Sequence, residues 1–351
     1  MRWLTPASRW TRNSPAAAES RERGAASVMV AVLLVALLGC AALAVDVGAM
    51  YSEKAQLQNG ADFSALAIAG DCANGSCGDY MATGNGLANG NANDTSSGIA
   101  AITFPSTTTV RVETNAREAG SGDDHFSLFF ARVMGMDTAN ITAVAVASWG
   151  APSAATTLPW TISQCVFETY LSASQLSELH STGTFTGDPI PTRILLRYDQ
   201  NVPTFPGCAA DNGYAPGGFG WLDMDNGCSA DIDIANLEVG SNPGNDLPNV
   251  CNSIISTLRD EPVLIPLFSE ATQNGQKTRY ELEGFLAFQV TGFKFGGGPS
   301  LTQLDPLAPN CDGGNCRGIQ GYFTRFVSVA EGISSTGSVP NFGATGVFLT
   351  E

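Results

Sequence analysis

The densest gathering of metal-ligand side chains in the sequence is Asp223-Met224-Asp225-Asn226-Gly227, followed by Asp231 and Asp233. Carboxylates alternating around a glycine turn can build the oxygen cage that Ca2+ prefers. Asp223, Asp225, Asp231 and Asp233 are therefore the candidate metal ligands. The run departs from the EF-hand loop: its Gly comes one position early, a cysteine follows, and Glu238 does not stand at the twelfth position. A solvated acidic loop explains the same residues and is the favoured reading. No other cofactor is expected.

Catalytic chemistry finds less support. A Ser-His-Asp arrangement would need His125 or His180, the only two histidines. The first borders an apolar stretch and the second lies among Ser and Thr, where ordinary surface roles suffice. GxSxG, a Walker-type phosphate loop and HExxH are absent. So is the DxSxS adhesion motif, of which Asp62-Phe63-Ser64 is a fragment. The expectation is a protein that is not an enzyme, and an exported hydrolase ranks well below the other readings.

Nine cysteines are present, one of them (Cys40) within an apolar run. The others are Cys72, Cys77, Cys165, Cys208, Cys228, Cys251, Cys311 and Cys316, and an even number in an exported segment reads as disulfides. Gly and Asn between Cys72 and Cys77, and between Cys311 and Cys316, let tight loops close, so local pairs are expected there. The remaining four allow three connectivities. Cys165–Cys208 with Cys228–Cys251 is preferred because both loops are of moderate length. Zinc is the weaker alternative, since the CxxC-type double spacing is missing and histidine is scarce.

The elements that carry these residues begin with residues 25–45, which are 21 residues without a charge. As a helix they span roughly 30 Å, the thickness of a hydrocarbon core. Residues 1–24 hold five Arg against two Glu, leaving 12 of the 17 basic and 31 of the 33 acidic groups to the remainder, a net −19. The positive-inside rule then puts the N-terminus in the cytoplasm and the long remainder outside a bacterial cytoplasmic membrane. The lipid bilayer is thus an expected partner through residues 25–45, whereas so acidic a body repels nucleic acid. Leu37-Leu38-Gly39-Cys40 approximates a lipobox and Ala42-Leu43-Ala44 a signal-peptidase site. Helical periodicity continues past both through Val47, Met50, Leu57 and Leu66, so a retained helix that leaves the bilayer as a stem is the simpler account.

The run from Arg23-Gly24 through the apolar span, Asp46-Val47-Gly48, Tyr51, Leu57-Gln58-Asn59, Ala61-Asp62 and an Ala-rich helix to Gly70 resembles the N-terminal segment of TadE/TadG-like proteins of the tight-adherence (Flp-type) pilus system. The resemblance implies a role in pilus assembly or surface attachment, with other pilus-assembly or TadE/TadG-like membrane proteins as partners. Pilin-like members are cut after a Gly followed five residues on by Glu. Met29 stands there after Gly24, which favours the unprocessed, TadG-like form.

Beyond the stem, residues 71–150 read as a small α/β unit. It contains a Gly/Asn-rich stretch at 84–98, an alternating strand at Ile102–Val112, an apolar helix at His125–Met134 with a buried face, and a strand at Ile141–Trp149. Residues 151–157 have the composition of a linker. Strands are then expected at Ile194–Tyr198, Val263–Phe268, Tyr280–Phe295 and Ile319–Val329, with a helix near Asn252–Leu258. The predicted fold class is α+β: a transmembrane helix continuing as a stem helix, a small α/β unit, then a disulfide-stapled mainly β domain. The divisions are 1–24, cytoplasmic; 25–45, transmembrane; 46–150, stem and α/β unit; 151–351, extracytoplasmic β domain. The alternative to a pilus component is a surface-exposed binding protein or lipoprotein whose β domain takes a ligand.

Overall fold

The computed structural model describes residues 19–187, 191–199, 205–208, 219–224, 227–236, 238–240, 247–255, 257–272, 278–296, 299–329, 333–336 and 339–350. The basic segment 1–18 lies outside them. Helix α1 (Glu19–Ala73) runs unbroken for 55 residues. From Val28 to Leu38 its large apolar side chains are all 54–69% exposed. No single stripe of the helix faces the protein there, as it would if this half were a core element. Further along, Leu57, Ala61, Ala65, Ile68 and Ala69 are at most 1% exposed. The helix is therefore one rod with two solvents: an open apolar half and a half packed on protein.

The packed half lies on a sheet. After α2 (Tyr80–Asn91) come β1 (Ser97–Ser106), β2 (Thr109–Ala116), the short pair β3 (Phe126–Ser127) and β4 (Thr138–Ala139), and β5 (Thr142–Gly150). Alanines at 61, 65 and 69 bring the helix close to Val110, Val112, Ala143, Ala145 and Ala147, with which they form one buried cluster. The Gly/Asn-rich stretch contributes most of α2, whose composition argues against helix. The Asp79 carboxylate accepts the Ala82 N–H at 3.0 Å as an N-cap, and Gly60 supplies the close crossing: a Cβ there would stand 3.2 Å from Ala88 Cα. Ile102–Val112, expected as one strand, folds instead as the β1–β2 hairpin, its turn closed by the Ser106–Thr109 register pair.

Two further expectations are corrected here. The apolar helix at His125–Met134 is not formed; β3 leads into a single 3-10 turn at Ala131–Met134. Its supposed buried face is open, with Phe129 73% and Val133 89% exposed. The physical reason is a carboxylate on α1 that takes the backbone N–H groups of this segment, described below. Residues 151–157 likewise are not a linker. They form β6 (Pro152–Thr157), whose Ala155 is buried between β10 (Ala230–Asp233) and β17 (Ile333–Thr336) in a three-stranded sheet. Small Ala, Ser and Thr side chains give linker-like composition, but they also suit a strand pressed between two neighbours.

The rest is mainly β. It contains β7 (Trp160–Ser163), α3 (Gln164–Thr169), α4 (Ala173–Thr182), β8 (Ile194–Arg197), β9 (Phe219–Trp221), β11 (Glu238–Gly240), β12 (Val263–Thr272), β13 (Arg279–Lys294), β14 (Thr302–Gln303), β15 (Gly318–Thr324), β16 (Phe326–Val329) and β18 (Ala344–Leu349). The helix expected near Asn252–Leu258 is a 3-10 turn at Asn249–Ile254. An eight-stranded sheet runs β8-β15-β13-β12-β7-β9, with β11 and β14 also paired to β13. Its core is aromatic: Trp160, Phe167, Phe219, Phe288, Phe293 and Phe295 are at most 2% exposed. Disulfides join Cys72–Cys77, Cys165–Cys208, Cys228–Cys251 and Cys311–Cys316. The C-terminal strands also return to the first sheet, whose order is β1-β2-β5-β18-β16. β18 pairs antiparallel with β5, Gly346 opposite Gly150, and its Val347 joins the cluster under α1.

Candidate functional site

At the point where α1 changes solvent stands Asp46, the first charged residue after the apolar span and only 4% exposed. Its two carboxylate oxygens accept the N–H groups of Phe129 (3.0 Å), Phe130 (2.9 and 3.2 Å) and Ala131 (2.6 Å). Burial pushes the carboxyl up, but these three donors and the nearby Arg132 guanidinium outweigh it and hold Asp46 below its ordinary value. One side chain thus occupies the unpaired donors that open a 3-10 turn, as an N-cap does for a helix. The β3–β4 pair forms the base of the hairpin. Gly135, at φ 81°, turns the chain back after Met134, a left-handed conformation that glycine adopts without a Cβ penalty.

Beyond Asp46 the stem is fixed by polar contacts interleaved with the alanines. Gln58 donates both to the Val144 carbonyl (2.9 Å) and to the Asp62 carboxylate (2.8 Å), so the Leu-Gln and Ala-Asp elements of the stem act as one clamp on β5. The Thr114 hydroxyl donates to the Leu57 carbonyl at 2.9 Å, and buried Ser64 to the Gly84 carbonyl at 3.2 Å. Glu53 is 8% exposed; burial, with the Asp94 charge adding to it, raises its carboxyl above the ordinary value. At the far end of α1, Arg325 donates to the Ala73 carbonyl at 2.8 Å, and the Cys72–Cys77 disulfide closes the turn. A cation at a helix C-terminus also complements the helix dipole.

Two concavities accompany this arrangement. A groove of 660 Å³ lies between α1 and the hairpin tip, lined among others by Leu43, Asp46, Val47, Leu128 and Met136. A second, of 370 Å³, lies between α3, α4 and β15, lined among others by Tyr170, Ser172, Gln175, Tyr322 and Phe323. Its described lining is mainly apolar and hydroxyl-bearing, without carboxylates, histidines or thiols. His125 stands 3.9 Å from Glu118, whose carboxylate also accepts the Ser127 hydroxyl, and His180 stands 3.5 Å from Glu168.

Among the described residues, the candidate metal ligands Asp223, Asp231 and Asp233 do not form a metal group. Asp231 and Asp233 alternate with buried Ala230 and Ile232 on β10 and point outward. Asp231 accepts the Thr156 hydroxyl at 2.6 Å, while Asp233 accepts the Ala235 N–H at 2.9 Å and the Asn236 amide at 3.2 Å. Asp223 is exposed, and Asp225 lies outside the described residues. Among the described residues no three His, Cys, Asp or Glu side chains gather as a metal group. Sequence reasoning ended the uncharged span at Asp46 but missed the segment its carboxylate holds. Its donors lie more than eighty positions away on backbone N–H groups, which carry no residue signature.

Residues 24–71 match the protein family described as "Putative Flp pilus-assembly TadE/G-like". The matched segment is nearly the whole of α1, and it contains Asp46, Gln58, Asp62 and the close-packing alanines. Among the described residues one helix, that one, is long and apolar enough to cross a membrane. Neither a curated protein nor a solved structure matched the chain.

Proposed function

We propose that this protein is a single-pass component of a Flp-type pilus assembly or surface-attachment system, acting through protein contacts and not through chemistry. Its N-terminus lies in the cytoplasm and residues 46–351 outside the cytoplasmic membrane. The observation that carries the proposal is the coincidence of the family-matching segment with a continuous helix that is bare and apolar in one half and clamped to a sheet in the other. Such a rod transmits position from the bilayer to the folded body. Side chains left open on the stem, Val47 at 51%, Tyr51 at 74% and Phe63 at 56%, offer contact area to other helices of the assembly. An acidic envelope and disulfides suit an oxidising compartment outside the cytoplasm.

A photo-crosslinker in place of Tyr51, in the full chain expressed in its native host, tests the reading. The expected adduct is with another TadE/G-like membrane protein, and deletion of the gene is expected to abolish piliation or surface attachment. Unchanged pili and attachment in the deletion strain would overturn it.

A further inference from the structure

One hairpin tip carries a set of large apolar side chains left exposed among the described residues. Phe129, Val133, Met134 and Met136 are 73, 89, 57 and 51% exposed, and Phe130, 38% exposed, meets Phe129 edge-on at 5.1 Å. Contiguous apolar surface of this kind marks a contact site. The position of the tip identifies what it contacts. It is bonded to Asp46, the first residue past the uncharged span, and shares its groove with Leu43, three residues back along α1. At 1.5 Å per residue Leu43 lies roughly 4.5 Å deeper towards the membrane. Leu43 and Val47, 41 and 51% exposed and four residues apart on one face of the helix, both line that groove beside the tip.

The geometry points to a second membrane contact: residues 128–136 insert their Phe, Val and Met side chains into the headgroup–acyl boundary of the bilayer that α1 crosses. The inference rests on the membrane-spanning reading of α1 proposed above. Non-helical backbone survives near hydrocarbon only when its polar groups are paired. Here the Phe129, Phe130 and Ala131 N–H groups go to Asp46. Leu128 donates to the Asp137 carbonyl, and Val133, Gly135 and Met136 donate to carbonyls within the tip. The contact is apolar in character. Arg132 is the single cation among residues 128–136, Asp137 follows directly, and the body is acidic. Insertion to about 5–10 Å is therefore independent of lipid charge and of salt.

The test uses the full chain reconstituted in phosphatidylcholine vesicles with an environment-sensitive nitrobenzoxadiazole label. One form carries it on native Cys40, the other on Val133→Cys in a Cys40→Ala background. Val133 is a surface position, so its replacement leaves packing intact. The expected result is loss of emission at 133 with nitroxides near the headgroups, and at 40 with nitroxides deep in the acyl chains. The signal at 133 should be unchanged by added salt or by anionic lipid, and lost when Asp46→Asn releases the tip. Quenching at 40 with an aqueous, unquenched label at 133 would overturn the second contact and leave the anchor standing. No quenching at either position would overturn both.

Discussion

Asp46 shows how one carboxylate can decide the conformation of a remote segment. The residues 125–134 have enough apolar side chains to suggest a helix, yet a helix starting at His125 would need its N–H groups from Phe129 onward for the carbonyls four residues back. Asp46 takes three of them, and the segment becomes a docked tip. Removing the acceptor by Asp46→Ala should expose Arg132 to trypsin, and limited proteolysis of the reconstituted chain should show cleavage after Arg132 at least several-fold faster, with the rest of the body resistant. Asp46 is held below its ordinary value, so its stabilisation is present above the normal carboxylate range and is lost as pH falls through the lowered value. Glu53 works in the opposite sense. Its raised value means that its contribution is fully present below the unfolded value of 4.5 and is lost as pH rises through the raised one. Glu53→Gln should therefore unfold at a higher temperature than the parent near neutral pH, with the difference closing towards about pH 4. An equal difference at both pH values would contradict this.

At the scale of elements, α1 is a helix whose two halves are stabilised by different surroundings. The stem half depends on side chains that fill the space under it. Leu57→Ala removes a fully buried side chain and should cost about 2–5 kcal/mol, read by denaturant unfolding of the body. A substitution with the same loss of volume at exposed Tyr51 should leave that transition in place. The helix and the strands Ile194–Tyr198, Val263–Phe268 and Tyr280–Phe295 were legible because a single period dominates each of them. Among the elements that were not, three show why. Residues 80–91 are a helix by virtue of a cap and a close crossing at Gly60, neither visible in composition. The strand at 152–157 reads as a linker because small side chains are ambiguous until their neighbours are known. The tip at 128–136 depends on Asp46, a partner distant in sequence. Of the candidate site, the boundary position of Asp46 was legible and the backbone it holds was not. The acidic run at 223–233 stood out because carboxylates are conspicuous in sequence; of it, Asp231 and Asp233 lie on β10 and face away from the core.

For the whole molecule, the decisive feature is that the sheet under the stem is shared between the two ends of the chain. β5 lies between β2 and β18, and Val347 fills the same cluster as Leu57 and Ala61. A fragment ending near residue 150 should therefore lack a completed sheet, and hydrogen exchange should find the amides of β5 unprotected in it and protected in the full chain. Arg325, bonded to the end of α1, makes a second tie; Arg325→Ala should loosen residues 72–77 in the same exchange experiment without altering the amides of β12 and β13. Disulfides stabilise the larger body chiefly through the unfolded chain. Cys165–Cys208 and Cys228–Cys251 enclose sequence separations of 43 and 23. Reduction of each should cost about 3–4 kcal/mol, seen as a fall in denaturant midpoint when thiols are added.

The pairing of Gly150 with Gly346 also sets a timetable. During synthesis α1 is made first, while the face of its stem waits for a strand made nearly two hundred positions after β5. Until Ala344–Leu349 arrive, Leu57 and the alanines of the stem have an unfinished seat, and a half-made chain presents that surface to chaperones, proteases or a neighbouring helix. The stem is thus closed only after Ala344–Leu349 have been made.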